Sequence, residues 1–236
     1  QRQMCIRDRH VGAVRTYVYT NTLPWSDTGI RLLPSSRFFE FNKQMEDFEH
    51  EFNDLVNDFV NVYPTLITAQ AMALGDMFNR DDFPSPSDVA HRFDFRLNYM
   101  PVPTAGDFRI DVGNDAEKEL KAKLSKLADE RIDHAMRDVK ARLKEHLDRM
   151  SDRLGSDIVN KEIKTRKFHD SLLDTAHELC DLVKALNITN DQDLEGARKA
   201  LATAIDGVDV QELRSNMPVR NDVKASVDAI RSKFSF

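Results

Sequence analysis

The sequence predicts a mainly α fold: an elongated helical bundle or coiled-coil hairpin carrying one small β-hairpin insertion. Three observations lead there. Seven apolar residues recur at alternating spacings of 4 and 3 between Phe41 and Val62, the 40 residues from Asp115 to Leu154 keep helical periodicity up to Gly155, and only 8 Gly and 8 Pro punctuate 236 residues. Hydrophobic residues at 41% and charged residues at 31% exclude collagen-like, low-complexity and wholly disordered chains and point to a soluble, helix-rich one.

The charge balance narrows the function classes. With 34 basic and 40 acidic residues the net charge is −6, so the chain is not a polycation built to coat nucleic acid, although local basic faces stay open. Cys5 and Cys180 are too far apart for a CxxC pair and have no Cys/His cluster around them, which excludes a disulfide scaffold and a zinc finger and fits a reducing, cytoplasmic setting. No apolar run approaches the roughly 20 residues that span a bilayer, and the first residues lack the apolar stretch of a secretory signal. The expectation is a cytoplasmic protein with no membrane partner.

Taken in order, the chain divides into residues 1–9, 10–113, 114–157 and 158–236. Residues 1–9, Gln-Arg-Gln-Met-Cys-Ile-Arg-Asp-Arg, resemble the translated remnant of a sequencing adapter of the kind found at the ends of metagenomic reading frames, so the native chain is expected to continue upstream of His10. Residues 10–35 alternate briefly from Val14 to Tyr19 and then carry Pro24, Gly29 and Pro34, which reads as an extended, turn-rich segment with Trp25 anchored against the core.

Ser35 or Ser36 caps the next helix, whose seam is Phe41, Met45, Phe48, Phe52, Leu55, Phe59 and Val62. Phe at such positions is core material rather than a ligand stripe. Between residues 38 and 63, seven acids (Glu40, Glu46, Asp47, Glu49, Glu51, Asp54, Asp58) face one base, Lys43. Pro64 is expected to break or kink the helix and open a second one, making a helical corner. Asp76, Asp81, Asp82 and Asp88 lack EF-hand spacing and read as loop and cap carboxylates.

Phe93–Tyr99 and Asp107–Val112 alternate strictly and predict the β-hairpin, its apolar face docked on the helices. Arg92, Arg96 and Arg109 beside its aromatic residues make it a candidate stacking platform for single-stranded nucleic acid, although alternation sets the arginines opposite most of the rings. The helix from 115 to 154 would reach about 60 Å. Residues 117–167 hold 15 bases against 11 acids, complementary to the acidic first helix, and Lys161, Lys164, Arg166 and Lys167 form the best local candidate for a polyanion contact. Three more helices are expected at 158–187, 191–205 and 219–234, with Asn187 and Asp191 as caps and Cys180 a buried thiol.

Catalytic signatures are missing from the sequence: it holds no P-loop, dinucleotide fingerprint, GxSxG or HExxH. Glu130, His134 and Asp138 share a helix face beside Asp133, but without Glu-x-x-His pairs they read as a solvated charge ladder rather than a metal site. No catalytic, cofactor or metal residue is assigned, and no enzyme activity is expected.

Tyr63-Pro64 through Gly75-Asp76-Met77-Phe78, Asp82-Phe83-Pro84, Arg92-Phe93 and Pro103-Thr104-Ala105-Gly106-Asp107-Phe108-Arg109 resemble an uncharacterised family of helical proteins from tailed phages and bacterial mobile elements, over about residues 35–155. That resemblance implies a protein without known activity, in a gene sometimes set beside MoxR-type AAA ATPases and von Willebrand A proteins similar to cobaltochelatase subunits. The functional expectation is a non-enzymatic helical component that self-associates or adapts a protein partner, such as an AAA ATPase, to a larger machine in the host cytoplasm. The alternative is a single-stranded nucleic-acid-binding accessory of phage replication or recombination.

Overall fold

The computed structural model describes residues 2–26, 28–102, 114–159 and 162–234. Helices carry the fold, as expected: α1 (Arg2–Asn21), α2 (Phe38–Leu74), α3 (Pro86–Ala90), α4 (Asn114–Leu154), α5 (Ser171–Leu186), α6 (Gln192–Ile205), α7 (Val210–Ser215) and α8 (Met217–Lys233). Two small antiparallel hairpins accompany them, β1 (Leu23–Pro24) with β2 (Arg31–Leu32) and β3 (Ser156–Val159) with β4 (Glu162–Thr165). The chain forms two compact units, one from Gln1–Thr20 and Phe38–Thr104, the other from Asn21–Arg37 and Ala105–Phe236.

In the first unit the seam of α2 is core in part: Phe48, Phe52, Leu55, Phe59 and Val62 are half-buried. Phe41 and Met45 are buried, Tyr17 of α1 stacks on Phe41 at 5.6 Å and meets Phe48 edge-on at 5.6 Å. His10 lies against Phe48 and Phe52 with its Nδ1 3.2 Å from Glu51. Farther along, Phe95 packs on Phe52 and Phe93 on Phe59, each at 5.8 Å. Such ring pairs contribute about 0.5–1.5 kcal/mol each beyond their buried area.

The second unit holds the larger core. On α4, Met136, Val139, Leu143, Leu147, Met150 and Leu154 are buried at helical spacing, and they close against Leu173, Ala176, Cys180 and Val183 of α5, Leu194 and Leu201 of α6, Leu213 of α7, and Val223, Val227 and Ile230 of α8. Leu23 of β1 joins this core, and Trp25 beside it is buried with the Arg131 guanidinium 5.7 Å above its ring. Lys140 of α4 reaches Asp191, the N-cap of α6, at 2.8 Å, and that hydrogen bond, with the capped backbone amides of Leu194 and Asp193, holds the carboxyl below its usual range.

Arg220 is the most demanding residue of this unit. It is 2% exposed, and its guanidinium donates to the carbonyls of Leu154 (2.9 Å), Arg153 (2.8 Å), Gly155 (3.3 Å) and Arg166 (2.7 Å). Three of these lie at the C-terminal end of α4, where helix carbonyls have no intrahelical donor and a cation is favoured by the dipole. Burial alone pushes the Arg220 pKa down, but a guanidinium has far to fall before losing its charge.

Several local expectations are corrected. Residues 10–21 are helical rather than extended: six alternating residues do not separate strand from helix, and the helical form sets His10 and Tyr17 on one face over the α2 rings. Ser35–Arg37 form a 3₁₀ turn before α2 instead of a simple cap. Pro64 does not make a corner, since α2 runs through it. The local cost of about 3 kcal/mol is offset by apolar side chains on both sides, Phe59 against Tyr63 before it and buried Ile67 after it. Phe93–Tyr99 is not a strand; its rings dock on α2 without a ladder, and the other half of the expected hairpin, including Arg109, lies outside the described residues. The helix expected at 158–187 starts only at Ser171, because Gly155 ends α4 and Ser156–Val159 pairs with Glu162–Thr165 as β3 and β4.

Removing the Arg220 guanidinium takes the side-chain donor from the carbonyls of Arg153, Leu154 and Arg166 at once, while the Gly155 carbonyl keeps the Arg166 amide at 3.1 Å. Arg220→Ala is expected to lower the unfolding free energy by about 3 kcal/mol or more, and Arg220→Lys, with one compact ammonium, to recover less than half. Urea titrations followed by circular dichroism check this; an unchanged midpoint for Arg220→Ala would refute the role.

Candidate functional site

The second unit carries a cleft of about 470 Å³ lined by His146, Arg149, Arg153, Lys167, Phe168, His169, Ser171, Leu172 and Thr175. Three pieces of chain build it. The last turns of α4 supply His146, Arg149 and Arg153 at i, i+3 and i+7, hence on one helix face. The link from β4 to α5 supplies Lys167, Phe168 and His169, and the first two turns of α5 supply Ser171, Leu172 and Thr175.

The electrostatics of the lining are one-sided: it contains three permanent cations and no carboxylate. The acids next to those cations in sequence are engaged elsewhere. Arg231 pairs with Asp148 at 2.6 Å, Arg166 pairs with Asp152, and Arg214 pairs with Asp170. Among the described residues, Arg149, Arg153 and Lys167 form no ion pair.

Phe168 is fixed rather than free. The guanidinium carbon of Arg220 lies 5.1 Å from its ring centre and that of Arg214 5.5 Å, and Arg214 also donates to the Phe168 carbonyl at 3.2 Å. At the start of α5, the Ser171 amide donates to His169 Nδ1 at 3.2 Å. That bond makes Nδ1 an acceptor and leaves the proton of the neutral ring on Nε2.

His146 forms the buried part of the wall. It is 4% exposed, and its Nε2 has no hydrogen-bond partner among the described residues. Burial, then the charge of Arg149, depresses its pKa to about 4, so the ring is neutral at pH 7. Cys180, the one described free thiol, is buried with its pKa pushed up to about 11 by burial, unlike an activated nucleophile.

The sequence-predicted residues fall into three groups. Lys167 lines the cleft, whereas Arg166 beside it is engaged by Asp152 and Lys164 is placed only by its strand register with Asp157. Arg92 and Arg96 belong to the first unit, Arg92 exposed and Arg96 paired with Asp94, while Phe93 and Phe95 turn their rings onto α2. Arg109 and Lys161 lie outside the described residues. His146, Arg149 and Arg153 were not singled out by sequence, although their i, i+3, i+7 spacing could have marked them. On the charge ladder, Glu130 lies 3.8 Å from Lys126 and Asp138 2.6 Å from Arg142. No group of three or more His, Cys, Asp or Glu among the described residues could hold a metal ion.

The first unit offers a different feature. Phe39 is 84% exposed, Met72 82% and Met77 79%, with Phe38, Tyr99 and Met100 also open to solvent. No described helix is long and apolar enough to cross a membrane. In comparisons with known proteins, no family model, no curated protein and no solved structure matches this chain.

A folded-state pKa near 4 against about 6.5 in the unfolded chain means that the unfolded state takes up the His146 proton first as pH falls. Stability from the neutral ring is therefore complete above about pH 6.5 and lost on descent toward pH 4, by up to about 3 kcal/mol. His146→Leu is expected to flatten that part of the stability profile in phosphate-free buffer; identical profiles would show that His146 is not the titrating group.

Proposed function

We propose that the chain is a non-enzymatic helical adaptor that works by binding a protein partner through its first unit. The observation that carries this reading is the set of large apolar side chains left in solvent there, above all Phe39, Met72 and Met77 at 84%, 82% and 79% exposed, while the large apolar side chains exposed in the second unit, Ile30, Leu120 and Leu127, are at most 44% exposed. The charge around Phe39 says what kind of surface fits. Residues 38–63 of α2 carry seven acids and one base, so the matching surface is apolar with a basic rim. Two copies of α2 would repel each other, which favours a different protein over self-association. The resemblance to phage and mobile-element proteins makes an AAA ATPase the first partner to test.

The triple variant Phe39→Ser/Met72→Ser/Met77→Ser changes exposed positions and is expected to keep the fold while weakening partner binding by about tenfold or more, as truncated interface anchors do. Light scattering after size exclusion, with and without a co-purified ATPase, gives the readout. Binding that is unchanged in the variant would overturn the reading, and a variant-sensitive homo-oligomer would replace the adaptor with a self-associating component.

A second reading, an accessory that binds single-stranded nucleic acid, is supported by the uncompensated Arg149, Arg153 and Lys167 rather than by the segment containing Arg92 and Arg96. It predicts binding to single-stranded DNA that falls steeply with salt and weakens more in Arg149→Ala/Arg153→Ala than in Arg92→Ala/Arg96→Ala. Absence of a complex at low salt refutes it.

A further inference from the structure

We infer that the cleft between the end of α4 and the start of α5 is a binding site for a phosphate-class oxyanion, the phosphoryl group of a small phosphomonoester or free phosphate. This does not rest on the adaptor reading, which concerns the other unit. Four observations converge on it.

The first is uncompensated charge. Arg149, Arg153 and Lys167 face one cavity while Asp148, Asp152 and Asp170, the acids nearest them in sequence, are occupied by Arg231, Arg166 and Arg214. A folded chain with 40 acids that leaves three cations converging without one leaves room for an anion from outside. The second is His146, a buried residue of the cavity lining whose Nε2 has no partner among the described residues. Such buried atoms are rare in folded chains and call for an explanation.

The third observation is the start of α5, a helix of 16 residues whose N-cap side chain makes no capping bond. Asp170 is turned to Arg214, and His169 takes its place: its Nδ1 accepts from the Ser171 amide at 3.2 Å and its carbonyl from the Leu172 amide at 3.1 Å, so what this end of α5 offers an anion is the positive end of the helix dipole rather than open amides. The fourth is a ring donor: with Nδ1 accepting from both the amide and the hydroxyl of Ser171, His169 carries its proton on Nε2, in the same lining. Guanidiniums with neutral donors suit a compact tetrahedral anion better than a carboxylate-free apolar ligand.

The same geometry argues against a nucleic-acid track. Phe168 is the one aromatic carbocycle in the lining, and its ring already carries the guanidiniums of Arg214 and Arg220, so the cleft offers no row of rings on which successive bases could stack.

Titrating the full chain with inorganic phosphate in low-salt buffer, by calorimetry and by the His146 ring signals in NMR, tests the site. The expected result is saturable millimolar or tighter binding that moves the His146 signals and weakens about tenfold or more in Arg149→Ala/Arg153→Ala, with no change in Arg92→Ala. Both substituted arginines of the double variant are exposed, so loss of binding without loss of fold can be read directly. No saturation, or equal weakening in Arg92→Ala, overturns the inference. Two further arms separate the sources. A nucleoside monophosphate competing with phosphate supports a small ligand, and a 5′-phosphorylated oligonucleotide that outcompetes its unphosphorylated twin supports a terminal phosphate. Equal, salt-sensitive binding of both oligonucleotides, without competition by phosphate, overturns the site in favour of a backbone contact.

Discussion

A single buried guanidinium organises the second unit. Arg220 stands on α8, yet all its hydrogen bonds go to backbone carbonyls of Arg153, Leu154, Gly155 and Arg166, which belong to the end of α4 and the exit of β4. No carboxylate is among those partners. The charge is stabilised by oriented peptide dipoles, and in return the last carbonyls of a 41-residue helix obtain donors that the helix cannot supply. Around this point the path of the chain is set: α4 stops, the β3–β4 hairpin leaves and returns, and Phe168 is pressed beneath the guanidinium before α5 begins.

That arrangement also explains why the cleft is basic. Once the hairpin returns beside α4, Arg166 can reach Asp152, and once Phe168 is seated, Arg214 can reach Asp170. Each pairing removes an acid from the neighbourhood of an unpaired cation. A polar network on the other flank repeats the effect, with Asp228 accepting from Ser151 at 2.5 Å and Lys224 at 2.5 Å while Arg231 takes Asp148. The uncompensated face is therefore a consequence of how the acids are consumed, which no count of residues along the chain reveals.

The legibility of the fold follows the range of the interactions involved. The seam from Phe41 to Val62, the span of α4, the caps Asn187 and Asp191, the burial of Cys180 and the anchoring of Trp25 were all readable, because each depends on spacing within a few turns or on one residue's own chemistry. The failures depend on partners far away in sequence. Helix α1 is stabilised by rings far later in the chain, visible in the Tyr17–Phe41 and His10–Phe52 stacks. The β3–β4 hairpin was hidden because Ile163, Phe168 and Leu172 also fit a helical period, and what holds the alternative is tertiary: Arg220 captures the Arg166 carbonyl and Asp152 the Arg166 side chain. Of the candidate site, Lys167 was legible as part of a basic run; Arg149 and Arg153 were not, since without the structure they look like members of a balanced charged helix.

The seating of Trp25 has a spectroscopic consequence. The single tryptophan lies in the second unit, while all four tyrosines, Tyr17, Tyr19, Tyr63 and Tyr99, lie in the first. Intrinsic signals are thus divided by unit: emission excited selectively in the indole comes from the second unit, beside α4, and the phenol contribution to absorbance comes from the first. A thermal scan read at both wavelengths distinguishes a chain that melts in one step from one whose halves part company, without any label being attached.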